Sequence, residues 1–281
     1  MMYHLPLRKF YCNQEIACRF LRNPSKNELL ILTLPGGPSL SGLYLDQFLL
    51  KLSMHAYVNV GIVDLPNHGD SVMAENNLPL TYQRCVEMLN NTLSEIHNEC
   101  DNIILFGQSF GARLAFDLLA ISDVKIDGLI LTGFPAEFKI SDELLKKISS
   151  LDLESGENQE QVFLRNWTKI LPLYTYAPLP MNAFNALSSN LKATGNEKLL
   201  DDVPEIEVMA EKLKNKSVNL PIVVIQGDVD SVVPDNNLSR LKANIPFASF
   251  YEFEKCGHFP MVEREEATLQ VFSQMLTKAI M

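Results

Sequence analysis

The chain has 281 residues, 47% of them hydrophobic, and its 34 acidic side chains outnumber 24 basic ones to leave a net charge of −10. That length and apolar content suit one large unit with ample buried surface. With no block of lysine or arginine to release counterions, the acidic balance argues against a nucleic-acid partner and against docking on an anionic membrane.

Met1 to Pro6 shows no basic region followed by an apolar core, so no secretory signal is expected. Residues 8 to 21 predict an opening hairpin turning near Asn13-Gln14. Leu29 to Leu34 reads as a strand and runs straight into Pro35-Gly36-Gly37-Pro38, where glycines let the backbone approach a ligand. Further strands are predicted near 58–63, 102–107, 126–132, 221–226 and 248–253. Between them, Val86, Leu89, Leu93 and Ile96 fall on one helical face, and Leu269, Phe272, Leu276 and Ile280 do the same near the end of the chain. This alternation predicts an α/β fold with a mostly parallel central sheet flanked by helices and with ligand chemistry at the carboxyl ends of the strands. It breaks between 134 and 218, which predicts a helical cap inserted into a core made of 1–133 and 219–281.

Five cysteines, Cys12, Cys18, Cys85, Cys100 and Cys256, form no Cys-x-x-Cys pair, and their odd number fits reduced thiols in a cytoplasm. No His-Glu-x-x-His, cysteine cluster or nucleotide fingerprint is present, so neither a metal nor another cofactor is expected.

The most informative motif is Gly107-Gln108-Ser109-Phe110-Gly111, set between the apolar run Ile103 to Phe106 and the helical pattern from Ala112. A strand, a sharp turn with serine at its apex and a helix would hold the Ser109 hydroxyl out toward a ligand, beside unpaired amides that favour negative charge. A hydroxyl is a weak nucleophile at neutral pH, so a histidine base and an orienting acid are required. His258, in a loop after the strand candidate Phe250 to Phe253, is the expected base. His68, in Asp64-Leu65-Pro66-Asn67-His68-Gly69-Asp70-Ser71, is its rival, whereas His4, His55 and His97 read as surface residues. For the acid, Asp230 is favoured over Asp228, because it lies further past the strand end and Pro234 then starts a helix; Glu137 is a remoter candidate. A tetrahedral oxyanion needs preorganised donors, and the amides of Gly37 and Phe110 are the expected pair, Pro38 having no amide hydrogen.

Residues 170 to 191 carry no charge and include Tyr174, Tyr176 and Phe184, which either line an apolar substrate pocket or pack the cap onto the core; Trp167, just upstream, reads as core. Three prolines in this stretch rule against a membrane helix.

Taken together, these motifs resemble the α/β-hydrolase superfamily, in which serine, acid and histidine follow one another in this order. The resemblance spans residues 29 to 263. The Gly-Gly-Pro loop is similar to the proline-iminopeptidase-like branch, with Pro35 and Ser39 replacing the outer histidine and glycine of its His-Gly-Gly-Pro-Gly. Asp64 to Ser71 instead resembles the Asp-x-Pro-x-His-Gly-x-Ser of esterase-like members. The resemblance implies a cofactor-independent serine hydrolase acting on a small-molecule substrate, either an ester or thioester (or an amide) with a hydrophobic group, or a peptide with an amino-terminal proline. For the second, relatives bind the free amino terminus with cap carboxylates, and Glu207 and Glu211 share one helix face in the acidic stretch from Asp201. A serine at the elbow excludes the aspartate-dependent dehalogenase-like and epoxide-hydrolase-like chemistries. A member that keeps the pocket for ligand sensing without catalysis is the alternative from another class.

Overall fold

The opening residues pair as β1 (Leu7–Tyr11) and β2 (Ile16–Phe20), and the reversal between them uses Cys12, Asn13 and Gln14 at positive φ. The computed structural model describes residues 4–72, 80–189, 191, 196, 198–216 and 219–280. From the hairpin the chain continues through β3 (Leu29–Leu34), a 3-10 turn, α1 (Asp46–Ala56), β4 (Asn59–Val63), α2 (Tyr82–Glu99), β5 (Asn102–Gln108), α3 (Phe110–Ile121) and β6 (Gly128–Thr132). Then come α4 (Asp142–Ser149), α5 (Gln159–Ile170), a second 3-10 turn (Leu171–Tyr174), α6 (Met181–Leu187) and α7 (Ile206–Asn215). The chain closes with β7 (Ile222–Gly227), α8 (Asn237–Asn244), β8 (Ser249–Phe253), α9 (Pro260–Glu263) and α10 (Glu265–Ile280).

The strands form one sheet in the order β1-β2-β4-β3-β5-β6-β7-β8. The β1–β2 and β2–β4 pairs are antiparallel and every later pair is parallel. Strand order reverses around β3, whose neighbours are β4 on one side and β5 on the other. Loops leaving β3 and β5 therefore diverge, and the crevice between their carboxyl ends is where ligands of such sheets bind.

The central strands are buried on both faces, which explains their near-continuous apolar sequences. Along β5, Ile103 and Leu105 point into the layer of α2, α3 and α7, while Ile104 and Phe106 point into the layer of α1 and α10. Phe106 and Phe272 meet edge to face at 4.9 Å in that second layer. On α2, Val86, Leu89, Leu93 and Ile96 all face the core, as their spacing requires. Phe272 and Leu276 of α10 are buried and Leu269 is partly so; the Ile280 side chain lies outside the described residues.

Between β6 and β7 the chain makes a helical insertion in which α5 and α6 form a cap over the sheet end. Trp167 is buried and joins two of its helices by donating from Nε1 to the Leu187 carbonyl at 2.9 Å. α7, in the same insertion, buries Ile206, Met209, Ala210 and Leu213 against α3. All five cysteines are buried free thiols. Among the described residues no helix is long and apolar enough to cross a membrane.

Candidate active site

β5 ends and α3 begins with one residue between them, Ser109, at φ 54° and ψ −118°. Such a positive φ is uncommon for a side chain other than glycine and is held here by crowding on both flanks. A Cβ on Gly107 would lie 2.4 Å from the Ala112 Cα, and one on Gly111 would lie 2.1 Å from the Leu34 carbonyl oxygen. Both glycines are thus required by close approach, to the helix in one case and to β3 in the other. The Ser109 amide donates to Thr132 O at 2.8 Å, and its carbonyl accepts from Ala112 N at 2.9 Å. With the backbone occupied and no cap bond made by the side chain, Oγ is left to point out of the turn.

His258 lies 149 residues further on, yet its Nε2 is 2.8 Å from Ser109 Oγ. On the other side of the ring, Nδ1 is 2.8 Å from Asp230 Oδ2. With a carboxylate at Nδ1 the neutral ring carries its proton there, which leaves Nε2 to accept from the serine hydroxyl. Asp230 also accepts from Gln226 Nε2 at 2.6 Å and from Val232 N at 3.0 Å, so both carboxylate oxygens are engaged. The His258 and Asp230 side chains are 3% and 1% exposed, which removes solvent competition from the contact. The rings of Tyr174 and His258 meet edge to face with their centroids 5.8 Å apart. Burial, and then the Asp230 charge, push the Tyr174 hydroxyl up to about 12.

The other candidates have different partners. Asp228 accepts from Cys256 N at 3.1 Å and so fixes the loop that carries His258. His68 is buried, its Nδ1 lying 2.8 Å from Pro66 O while its Nε2 accepts from Ser39 N at 2.7 Å. The second contact sets the first: Nε2 must be the bare nitrogen, so Nδ1 carries the proton and donates to Pro66. His68 thereby holds the loop after β3 rather than the serine. His4 pairs with Asp46 at 2.9 Å. Glu137 is tied to Arg240 at 2.8 Å.

Ser109 and His258 open into a cavity of about 320 Å³ whose walls include Pro38, Leu40, Phe138, Phe163, Trp167, Tyr174 and Phe259. Among the described residues, Glu137 and Lys139 are the acidic and basic side chains on its wall. Gly37 lines it as well, and Phe110 supplies the first amide of α3, which has no intrahelical acceptor. The loop carrying Gly37 is braced from behind: Gly36 N donates to the Tyr44 hydroxyl at 2.7 Å, Tyr44 donates to Gln108 Oε1 at 2.6 Å, and Gln108 Nε2 donates to His258 O at 3.2 Å. Burial raises the Tyr44 hydroxyl far above the ordinary tyrosine range, so it remains a donor.

Of the cap residues singled out in the sequence, Tyr174 reaches this cavity. Tyr176 and Phe184 line a separate groove of about 370 Å³ on the outside of the cap with Pro172, Pro178, Leu179 and Met181. Glu207 turns away to Arg240, at 2.8 Å, and to Asn244 at 3.2 Å, and Glu211 is exposed on the same helix; neither lines the Ser109 cavity. Arg240 first, by hydrogen bonding, lowers the Glu207 carboxyl to about 2. Tyr44, Gln108, Gln226 and Glu263 are the site's supporting residues that the sequence reading did not reach. Gln108 and Gln226 carried a signal, each as the polar residue at the end of an otherwise apolar strand. Among the described residues there is no group of three or more His, Cys, Asp or Glu side chains that could hold a metal ion.

A comparison with curated protein sequences finds no match. Solved structures do match over nearly the whole chain. A proposed aryl esterase from Burkholderia cenocepacia has a TM-score of 0.75 at 18% identity, covering 98% of this chain and 98% of its own. A meta-cleavage product hydrolase from Pseudomonas fluorescens has a TM-score of 0.70 at 16% identity, covering 98% of both chains. MenH from S. aureus has a TM-score of 0.69 at 18% identity, covering 94% of this chain and 99% of its own. At these identities the likeness is one of fold. The family model described as alpha/beta hydrolase fold matches residues 30–265, and the chain belongs to that family.

Proposed function

We propose that this protein is a serine hydrolase that cleaves an ester or thioester of a small hydrophobic substrate through an acyl-enzyme. In this reading Ser109 attacks the carbonyl carbon while His258 Nε2 takes its proton. Asp230 holds the imidazole by the Nδ1 hydrogen bond and stabilises the imidazolium that forms. The amides of Gly37 and Phe110 receive the oxyanion, and His258 returns the proton to the leaving group. Water, activated by the same imidazole, then releases the acid and restores the serine.

One observation carries the reading: two 2.8 Å contacts, Ser109 to His258 and His258 to Asp230, at the floor of an apolar cavity. That apolar lining supports a hydrophobic acyl or alcohol group. Cleavage of amino-terminal proline peptides would need a free carboxylate to meet the substrate's ammonium. Glu207 and Glu211 are outside the cavity, and Glu137 on its wall is already paired with Arg240, so the ester reading is preferred.

A fluorophosphonate probe tests the proposal. Wild-type protein is expected to be labelled at Ser109, and Ser109→Ala to lose both labelling and aryl-ester turnover, by about a millionfold in the latter. Turnover of a proline arylamide in preference to aryl esters would move the protein to the peptidase branch. A folded wild type that takes no label would make it a ligand-binding member.

A further inference from the structure

Glu263, the last residue of α9, is half-buried and accepts hydrogen bonds from three backbone amides. Two of them flank His258: Gly257 N reaches Oε2 at 3.0 Å and Phe259 N reaches Oε1 at 3.2 Å. The third comes from the cap, Tyr176 N reaching Oε2 at 2.7 Å. One carboxylate thus joins the base loop to the cap by charge-assisted bonds, the stronger class of protein hydrogen bond.

The same two segments meet once more, and the acid loop meets the cap beside them. His258 N donates to Tyr174 O at 2.8 Å, and Ser231 Oγ, beside Asp230, donates to Leu173 O at 2.9 Å. Gly257 makes this approach sterically feasible, since a Cβ there would lie 2.4 Å from Tyr174 O and 2.8 Å from the Thr175 Cα. The cap segment 173–176 is therefore seated on the loops that carry both His258 and Asp230.

We propose that Glu263 is a positioning residue that locks the cap segment 173–176 to the His258 loop, so that the placement of the cap and the aim of the imidazole are set together. The inference rests on the proposed role of His258 as the base. It makes 173–176 the fixed portion of the cap. Any displacement of the fixed portion is transmitted to the imidazole, which has to stay within hydrogen-bond reach of Ser109 Oγ to act.

Three variants, Glu263→Ala, Glu263→Gln and Tyr176→Pro, test this against aryl-ester kinetics and the rate of fluorophosphonate labelling, with near-ultraviolet circular dichroism to establish folding. Glu263→Ala is expected to lower kcat and the labelling rate by about 10- to 100-fold, the effect of misplacing a catalytic group by a fraction of an ångström to an ångström. KM should change by less than about threefold, because the loss falls on the reacting geometry. Glu263→Gln keeps one acceptor oxygen and should fall between that variant and wild type. Of the three donors to Glu263, Tyr176→Pro deletes only the cap-side one, leaving both amides beside His258 bonded, and should still lower the labelling rate by several-fold. Wild-type labelling rates and kcat in Glu263→Gln and Tyr176→Pro, with only a lower melting temperature, would overturn the proposal and leave Glu263 a purely structural residue. Should Glu263→Ala fail to fold, the other two decide the matter. A wild type that is not labelled at Ser109 would instead remove the base role of His258, and this inference with it.

Discussion

Arg113 and Arg240 both reach the two places where the cap leaves and rejoins the sheet layers, one from the interior and the other from the surface. Arg113 is 1% exposed, on the helix that starts at Ser109. Its guanidinium donates to Asp117 Oδ1 at 3.0 Å, to Ala136 O at 3.3 Å and to Pro204 O. Asp117 is completed by the Tyr82 hydroxyl at 2.7 Å, and burial still pushes its carboxyl up. Arg240 is 23% exposed, on α8, and meets Glu137 at 2.8 Å, Glu205 at 2.9 Å and Glu207 at 2.8 Å. Position along the chain is nearly the same for the two sets of partners; solvent is what differs. A buried cation cannot be given up without stranding its partners, whereas an exposed one is replaced by water and salt at small cost.

The largest expected effect tests that contrast directly. Arg113→Met should lower the unfolding free energy by about 3–5 kcal/mol in urea titration, because Asp117 is left buried without its cation. Arg113→Met combined with Asp117→Leu should recover part of the loss; no recovery would mean the carbonyl bonds to Ala136 and Pro204 matter more than the ion pair. Arg240→Ala should cost only about 1 kcal/mol, and in about 1 M salt, where screening is strong beyond about 3 Å, the wild type should approach the variant. A loss as large as that of Arg113→Met would show the surface clamp to be a cooperative network.

The smallest effect concerns pH. The Glu207 carboxyl in the folded state, at about 2, lies below its unfolded value of 4.5. A depressed carboxylate adds stability that is fully present above the unfolded value and disappears as pH falls through the folded one. The stability difference between wild type and Arg240→Ala should therefore persist at pH 5 and fade between about pH 4.5 and 2. If it disappears already above pH 5, Glu207 is not the partner that holds Arg240.

What the sequence made legible was local. The β1–β2 hairpin, the apolar run of β5 and the serine flanked by Gly107 and Gly111 depend on neighbours a few residues away. Asp228 and Asp230 are the same side chain two positions apart after β7, and only the path of the loop sends one to Cys256 N and the other to His258 Nδ1. The destination of Glu207 was hidden for a similar reason, since its partner Arg240 lies 33 residues away. α7 has the apolar spacing of any amphipathic helix, and nothing in that spacing says whether it packs on a cap or on α3. Glu263 was harder still: it serves three backbone amides, and a backbone amide has no sequence signature.

The missing side chain at Gly257 also sets a boundary for redesign. Bulk added there, or a rearranged backbone at 173–176, would pry apart Tyr174 and the imidazole loop, whereas Phe138 and Ile140 of the loop after β6, Ile148 of α4 and Phe163 of α5 line the cavity away from that seam. Libraries meant to broaden or narrow the accepted substrate belong on this far wall, where diversity in shape can be explored while the machinery opposite keeps its aim.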